Sequence, residues 1–600
     1  MASHYTATRG RLDRRWKLLL VVGFLGLAGG VRTALDAPAA GYELSLYRAT
    51  PLLFWGGVAV AFLAALVVGL SSDSGRGRLT AAVLGGSAGI AVVALPVVRG
   101  YHFYGQGDAL THLGFARSLV GGTLQPQDLL YPGVHLFSVA LNAVTGLALT
   151  RSLLLTVVVF FGLFFLFVPL CVREMTDAPG ALVVGLFAAL LLLPINAVGT
   201  HVVAHPSSEA ILFAPFLLFI ALVGVRLPTR GRLRPSRLGL AFAVVAPTML
   251  FVHSQETLSL LVLFGAILGV QIVFRLFSST HPIAQHRPLL FETLFLGALW
   301  TAWAGGRPRV TSRLEAAYDF VVGGSATSAG GTVAGRSASL TDIGASLGGL
   351  FLKLFLAAAV FSAVAGIVML GSPLGRFDDV FPDHNALNKY LTAAFVPLAA
   401  ITAVVFVGDF GDHYFRFVGF LMLPVTLVGA AALASGVPAL RSRLTTTGRR
   451  RLLAVLFALL LPLAVFSLHP SPWIFQDNPQ VTDSEMTGYE VAIEHQVPDA
   501  TFAGPRGGGD RFADAIYGPE SSTALAFPGE AIPFTAWTNL TGAYDDGTYV
   551  PLRPPDQPRE LSLYRGFRYG SDGFRALQTT PGIHRVQSTG GFELYYIGDE

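Results

Sequence analysis

Residues 151–171 read RSLLLTVVVFFGLFFLFVPLC, and after Arg151 twenty residues pass without a charge. At 1.5 Å of rise per residue such a run covers about 30 Å, the thickness of a bilayer's hydrocarbon core. Twelve more apolar segments lie near 16–35, 51–70, 79–98, 180–197, 207–225, 238–252, 257–277, 288–304, 349–370, 390–407, 417–435 and 452–468. The 238–252 segment is short and holds Pro247, which membrane helices tolerate. The expected fold is a polytopic α-helical membrane protein with about 13 transmembrane helices. A composition of 52% hydrophobic and 13% charged residues excludes a cytosolic enzyme, a fibrous protein and a disordered chain. The single Cys171, inside the quoted run, allows neither a disulfide framework nor a multi-cysteine metal site.

Charge is distributed unevenly along the chain. Met1 to Leu468 carries 33 Lys+Arg against 19 Asp+Glu, whereas His469 to Glu600 carries 8 against 18. The arginines fall in short loops rather than one patch, so nucleic acid is not an expected partner. They act as topology signals: loops on the N-terminal side hold 22 basic residues, among them Arg14, Arg76, Arg230 and Arg450, against about nine opposite. The expected location is the plasma membrane, with a cytoplasmic N-terminus and a first span that serves as a signal anchor, since no A-x-A site follows its apolar core. The expected layout is 1–98 as N-terminal transmembrane helices, 99–150 as a first large outer loop and 151–468 as a transmembrane core with a second outer loop at 305–349. Residues 469–600 form a small C-terminal extracytoplasmic α+β domain, with a helix-like stretch at Asp483 to Gln496 and a strand-like FELYYI at Phe592 to Ile597. No internal repeat is visible.

The two long outer loops set the chemistry apart from simple packing. In the first, two amphipathic pieces at 108–120 and 133–147 suit the membrane interface. It opens with YHFYGQGDALTHLGFARSL, in which Asp108 follows a Gly-rich turn and His112 lies one helical turn further on the same face. Asp108 is a candidate general base or metal-binding carboxylate beside His112; as a helix N-cap it has a bland alternative. The second long loop is rich in Gly, Ser, Thr and Ala, a composition that suits a segment ordering over a substrate.

Further polar residues collect at the same level. In GTHVVAHPSSEAILF, His205 and Glu209 flank the helix-starting Pro206, and in FVHSQETL, His253 and Glu256 form a tight turn. First-turn carboxylates are favoured by the helix dipole, which is the alternative for both. In VGDFGDHYFRFVGF, Asp412, His413 and Arg416 occupy the mouth of the twelfth span. Arg416, with His413 beside it, suits the binding of a donor phosphate, whose oxygens a guanidinium matches; snorkelling to the interface is its alternative. The set His205, Glu209, His253, Glu256 and Asp412 suits a cavity lining or a divalent cation, Mg²⁺ or Mn²⁺. Span interiors are almost free of charge, whereas an ion-coupled transporter usually needs carboxylates near the midplane. An enzyme acting on a lipid-linked substrate at the outer face fits better.

These features together resemble the GT-C superfamily of membrane glycosyltransferases, of archaeal or bacterial type, which use polyprenyl-phosphate-linked sugars as donors. The resemblance is carried by the acidic residue early in a long first outer loop (GDALTH, then YPGVHLF), the aromatic-arginine stretch DHYFRF before GFLMLP, and a soluble domain after the last span. It implies that Asp108 is the catalytic base or metal ligand and Arg416 the donor-phosphate ligand. It also implies a glycan, lipid or protein acceptor and a surround of membrane lipids. No D-x-D or E-x-D pair stands in the second outer loop of the family pattern, where His205 and Glu209 lie instead, and no W-W-D signature occurs. A transporter or flippase for lipid-linked sugars would share such a cavity without a base, and a non-catalytic envelope assembly protein would have no need of the charged loops.

Overall fold

Hydrocarbon offers backbone groups no partner, so an apolar segment crossing it must satisfy every N–H and C=O within itself, and a helix does so. In the computed structural model all thirteen apolar segments fall on helices over most of the residues that the structure describes. The structure describes residues 12–192, 199–227, 237–278, 280–323, 341, 343–378, 385–408, 414–436, 445–498, 500–524, 529–544 and 547–598.

Among the described residues, eight helices are long and apolar enough to cross a membrane: Arg14–Leu35, Leu52–Ser71, Leu149–Met175, Pro206–Val225, Ser254–Phe277, Asn385–Val407, Tyr414–Ser435 and Thr446–Leu468. A ninth results if Leu347–Leu354 and Leu356–Gly371, bent by 66° at Phe355, count as one span. The chain is thus a multi-pass membrane protein, but the count of 13 is not reached. The other four segments fall short for visible reasons. Gly75–Val93 opens with Arg76 and Arg78, while Ala181–Leu190, Arg237–Val252 and Leu290–Trp303 have 10, 16 and 14 residues. The second long loop also differs from expectation where it is described: Pro308–Gly323 is a helix.

Pro206–Val225 is the most enclosed of the eight, with 83% of its apolar window buried. Phenylalanines knit it to Leu149–Met175, Phe216 stacking on Phe167 at 4.2 Å. After the last span the chain forms a five-stranded sheet of order β4-β3-β5-β7-β6, with β3 at Thr501–Gly504, β4 at Glu530–Ala531, β5 at Thr548–Leu552, β6 at Ile583–Thr589 and β7 at Phe592–Ile597. β3 runs parallel to both its neighbours, and β7 runs antiparallel to both of its own. The helix Asp483–Glu494 starts with a capping box, Thr482 and Glu485 satisfying each other's backbone N–H.

This C-terminal unit is tied to the membrane helices by backbone as well as side chains. β1 (Phe103–Tyr104) pairs antiparallel with β2 (Gln480–Val481). Buried Arg99 pairs with Glu43, and the Glu43 carboxylate also accepts the Tyr101 hydroxyl at 2.6 Å. Asn478 Nδ2 donates to the Glu43 carbonyl at 2.7 Å. Three stretches distant in sequence therefore close into one polar knot under the C-terminal unit.

Candidate functional site

The Asp108–Gly121 helix is set by the two glycines before it. Gly105 and Gly107 have φ of +136° and +57°, values that side chains rarely adopt, and they turn the chain from β1 into the helix. Gly107 is the N-cap and Asp108 the first helical residue, with no side-chain cap bond, so Asp108 does not cap this helix.

With 3.6 residues per turn the helix presents two working faces. Thr111, Gly114 and Ser118 meet the Gly509–Tyr517 helix of the C-terminal unit and the residue after it. A Cβ on Gly114 would come within 2.0 Å of the Asp514 carbonyl oxygen, and Thr111 Oγ1 donates to Asp514 Oδ2 at 2.7 Å. Asp108, His112 and Phe115 form the second stripe, at i, i+4 and i+7. Asp108 Oδ1 lies 3.4 Å from Arg511 Nη2, and Arg511 Nη1 donates to Thr111 Oγ1 at 2.9 Å. The carboxylate thus pairs with the C-terminal unit, while His112 Nδ1 lies 3.1 Å from His135 Nε2 on the Gly133–Thr145 helix.

Around that histidine pair the other predicted residues gather. Pro132 and Gly133 turn closely past the end of Arg237–Val252, where a Cβ on Gly133 would meet the Phe251 and Val252 backbone at 2.8 Å. Trp303 Nε1 holds the same turn through the Leu130 carbonyl at 2.8 Å. Tyr131 consequently lies on His253, ring to ring at 5.2 Å, and edge-on to His112 at 6.3 Å. His253 and His205 are the residues just before Ser254–Phe277 and Pro206–Val225. His201 and His205 stand edge to face at 5.4 Å. Glu209 does what helix-start carboxylates do: its two oxygens accept the His205 backbone N–H at 3.1 and 3.3 Å. Glu256 does not; it is fully buried, and neither oxygen has a hydrogen-bond partner among the described residues.

Burial pushes His112 and His205 well below the ordinary histidine range, with neighbouring histidines and Arg416 adding to the shift. It brings His135 and His201 down to about 4, with Arg416 contributing at His201. These rings are neutral near pH 7 and act as hydrogen-bond donors and acceptors rather than cations. Positive charge comes from Arg416, in the first turn of Tyr414–Ser435, which makes no ion pair among the described residues and lies within electrostatic range of His112, His201, His205 and Glu256. Asp412 and His413 lie outside the described residues.

Among the described residues no three His, Cys, Asp or Glu side chains converge closely enough to hold a metal ion; Asp412, a member of the set expected to hold Mg²⁺ or Mn²⁺, lies outside those residues. An apolar cleft of about 450 Å³ between Leu356–Gly371, Asn385–Val407 and Tyr414–Ser435 is lined by Leu421, Met422 and Val425. Those positions lie on the far side of their helix from Arg416, so this cleft is separate from the histidine cluster.

The structure thus brings His112, His205, His253, Glu256 and Arg416 together, leaves Glu209 to its own helix start, and sets Asp108 on the rim against Arg511. Tyr131 and His135 stand in the YPGVHLF stretch quoted above, where no role was assigned to them, and Phe115 was legible as the i+7 member of the Asp108 stripe; Arg511 is supplied by a separate element and had no local signal.

No protein-family model matches the chain, and no curated protein does. In structure it is similar to ArnT from Cupriavidus metallidurans bound to undecaprenyl phosphate, with 12% identity, a TM-score of 0.43 and coverage of 87% of this chain and 98% of that one. The same protein in the apo state gives 12% and 0.42 over 87% and 98%. The archaeal oligosaccharyltransferase AglB from Archaeoglobus fulgidus, in complex with an inhibitory peptide and a dolichol-phosphate, gives 12% and 0.42 over 86% of this chain and 74% of that one.

Proposed function

We propose that the protein is an integral-membrane glycosyltransferase that moves a sugar from a polyprenyl-phosphate-linked donor to an acceptor at the outer face of the plasma membrane. One observation carries the reading. An arginine without an ion-pair partner among the described residues lies within electrostatic range of neutral buried histidines and of Glu256, whose side-chain oxygens have no hydrogen-bond partner among the described residues. A phosphate suits the guanidinium, and sugar hydroxyls suit the carboxylate and the imidazoles.

In the reaction the acceptor oxygen forms a bond to the anomeric carbon as the bond from that carbon to the phosphate oxygen breaks. The electron pair leaves with the polyprenyl phosphate, where Arg416 meets the developing charge, an electrostatic role worth about 10²–10³ in rate. The acceptor proton passes to Asp108, at the exposed rim where an acceptor can enter, and Arg511 holds that carboxylate in place. Glu256 receives hydrogen bonds from the donor sugar, and His112, His205 and His253 line its cavity.

The test is transfer of labelled sugar from polyprenyl phosphate donors in membranes, comparing wild type with Asp108→Asn and Arg416→Ala. Product lost in both, with protein still inserted, is the expected result. Undiminished transfer by Asp108→Asn would remove the base assignment, and labelled lipid crossing the bilayer without a glycosidic product would make the chain a transporter.

A further inference from the structure

Tyr131 and Phe115 touch the histidine cluster on one side and on the other line a cleft of about 420 Å³. That volume falls in the roughly 300–1,000 Å³ range of small-ligand sites. Three distant parts of the chain meet there: the turn carrying Asp128 and Tyr131, the start of Pro308–Gly323 with Arg309, and the start of Pro519–Ala524 with Glu520.

The polar groups of the cleft divide into spent and free. Arg307 donates to the Gln127 carbonyl at 2.6 Å and lies over the Trp303 ring at 5.2 Å, and Asp128 accepts the Gln125 backbone N–H at 3.1 Å. Arg309 and Glu520 are exposed and make no hydrogen bond or ion pair among the described residues. A guanidinium only donates and a carboxylate only accepts, so together they serve hydroxyl groups, which do both. The two aromatic rings offer a surface for the apolar face of a sugar ring. No strand edge lines the cleft, so a peptide has no ladder to extend.

We infer that this cleft is the acceptor subsite and that the acceptor is a carbohydrate. A pyranose ring lies against Phe115 and Tyr131, its hydroxyls bridge Arg309 and Glu520, and the reacting hydroxyl is directed along the stripe Phe115, His112, Asp108. The fate of that hydroxyl rests on the glycosyltransferase reading; the binding of the carbohydrate does not.

The experiment uses full-length protein in lipid nanodiscs. Methyl glucoside, methyl galactoside, methyl mannoside and maltotriose are titrated by saturation-transfer NMR, with polyprenyl phosphate and an unglycosylated decapeptide as separate probes. Wild type is compared with Arg309→Gln and Glu520→Gln, surface changes that leave the fold intact. At least one glycoside is expected to bind, each variant weakening it about ten-fold or more through loss of a charged hydrogen bond, with polyprenyl phosphate binding unchanged. Glycoside binding indifferent to both variants, binding of the peptide in place of every glycoside, or no binding of either overturns the inference and leaves the proposed function standing. Glycoside binding sensitive to both variants in a protein that binds no polyprenyl phosphate overturns the acceptor role and the glycosyltransferase reading, and retains a carbohydrate site.

Discussion

The C-terminal unit and the histidine cluster both bury ionisable groups, and they treat them in opposite ways. In the C-terminal unit, Asp556 and Glu560 are fully buried and fully partnered. Asp556 accepts the Arg553 backbone N–H at 2.7 Å and the Arg559 guanidinium at 2.7 Å, while Glu560 takes Arg506 at 2.6 and 3.1 Å. Burial alone would raise the Asp556 pKa, but Arg553 and Arg559 outweigh it and hold the carboxyl below its ordinary value. At the histidine cluster the described residues show no such closure around Glu256 and Arg416. The rings are neutral, Glu256 is unpartnered, and Arg416 makes no ion pair among the described residues. Buried polar groups in native proteins are almost always satisfied, so the closed network is complete as it stands, whereas under the proposed function a ligand would complete the open one.

The contrast breaks most readily in the closed network. Asp556→Ala leaves two guanidinia buried without their shared carboxylate and is expected to cost about 3–5 kcal/mol, seen as a lowered melting temperature of the purified protein. A loss below about 1 kcal/mol would mean that the network does not hold the unit together. Glu256→Gln should show the reverse pattern: kcat/KM for sugar transfer falls by roughly ten- to a hundred-fold, the cost of leaving a buried hydrogen-bonding group unsatisfied, with the melting temperature unmoved. A large stability loss with unaltered transfer would make Glu256 structural.

Between the two regions stands the contact of the Asp108–Gly121 and Gly509–Tyr517 helices. Gly114→Ala drives a methyl group into the Asp514 carbonyl and should cost about 1–3 kcal/mol, read as faster hydrogen exchange in Gly509–Tyr517. Unchanged exchange would show that the helices can separate freely.

The remaining effect is in pH. His135 and His201, held near 4 in the fold, titrate near 6.5 when unfolded, so the unfolded chain binds more protons between those values. Stability contributed by these neutral rings is present above about pH 6.5 and falls as pH drops toward 4, by at most ~1.4 kcal/mol per pH unit for each histidine. Melting curves from pH 7.5 to 4.5 check this, and His135→Gln should flatten them. Asp556, with its lowered pKa, contributes stability that persists until the pH falls below the ordinary carboxylate range.

Much of the helical frame was legible, because long apolar runs permit little else. Among the described residues the span count stays below 13 at segments such as Ala181–Leu190 and Leu290–Trp303, where composition reads as membrane but the described helix is shorter than a span needs. FELYYI reads as a strand from its aromatic and β-branched residues, and it became the interior strand β7 between β5 and β6. The candidate site was legible in part, since histidines and carboxylates at the same ends of successive helices must lie at one level. Asp108 and His112 share a stripe, as their spacing requires, but they serve different partners.

What the sequence by itself determined is which segments are helices, which residues share a face, and which end of the bundle carries the polar chemistry. Periodicity and the demand for internal hydrogen bonding in hydrocarbon are local constraints, and a single chain displays them. What only the tertiary structure decided is which face meets which: His112 with His135, Tyr131 with His253, Asp108 with Arg511 from the other end of the chain. Those pairings depend on close approaches such as Gly114 against Asp514 and Gly133 against Phe251, and no local pattern of residues records its distant neighbour.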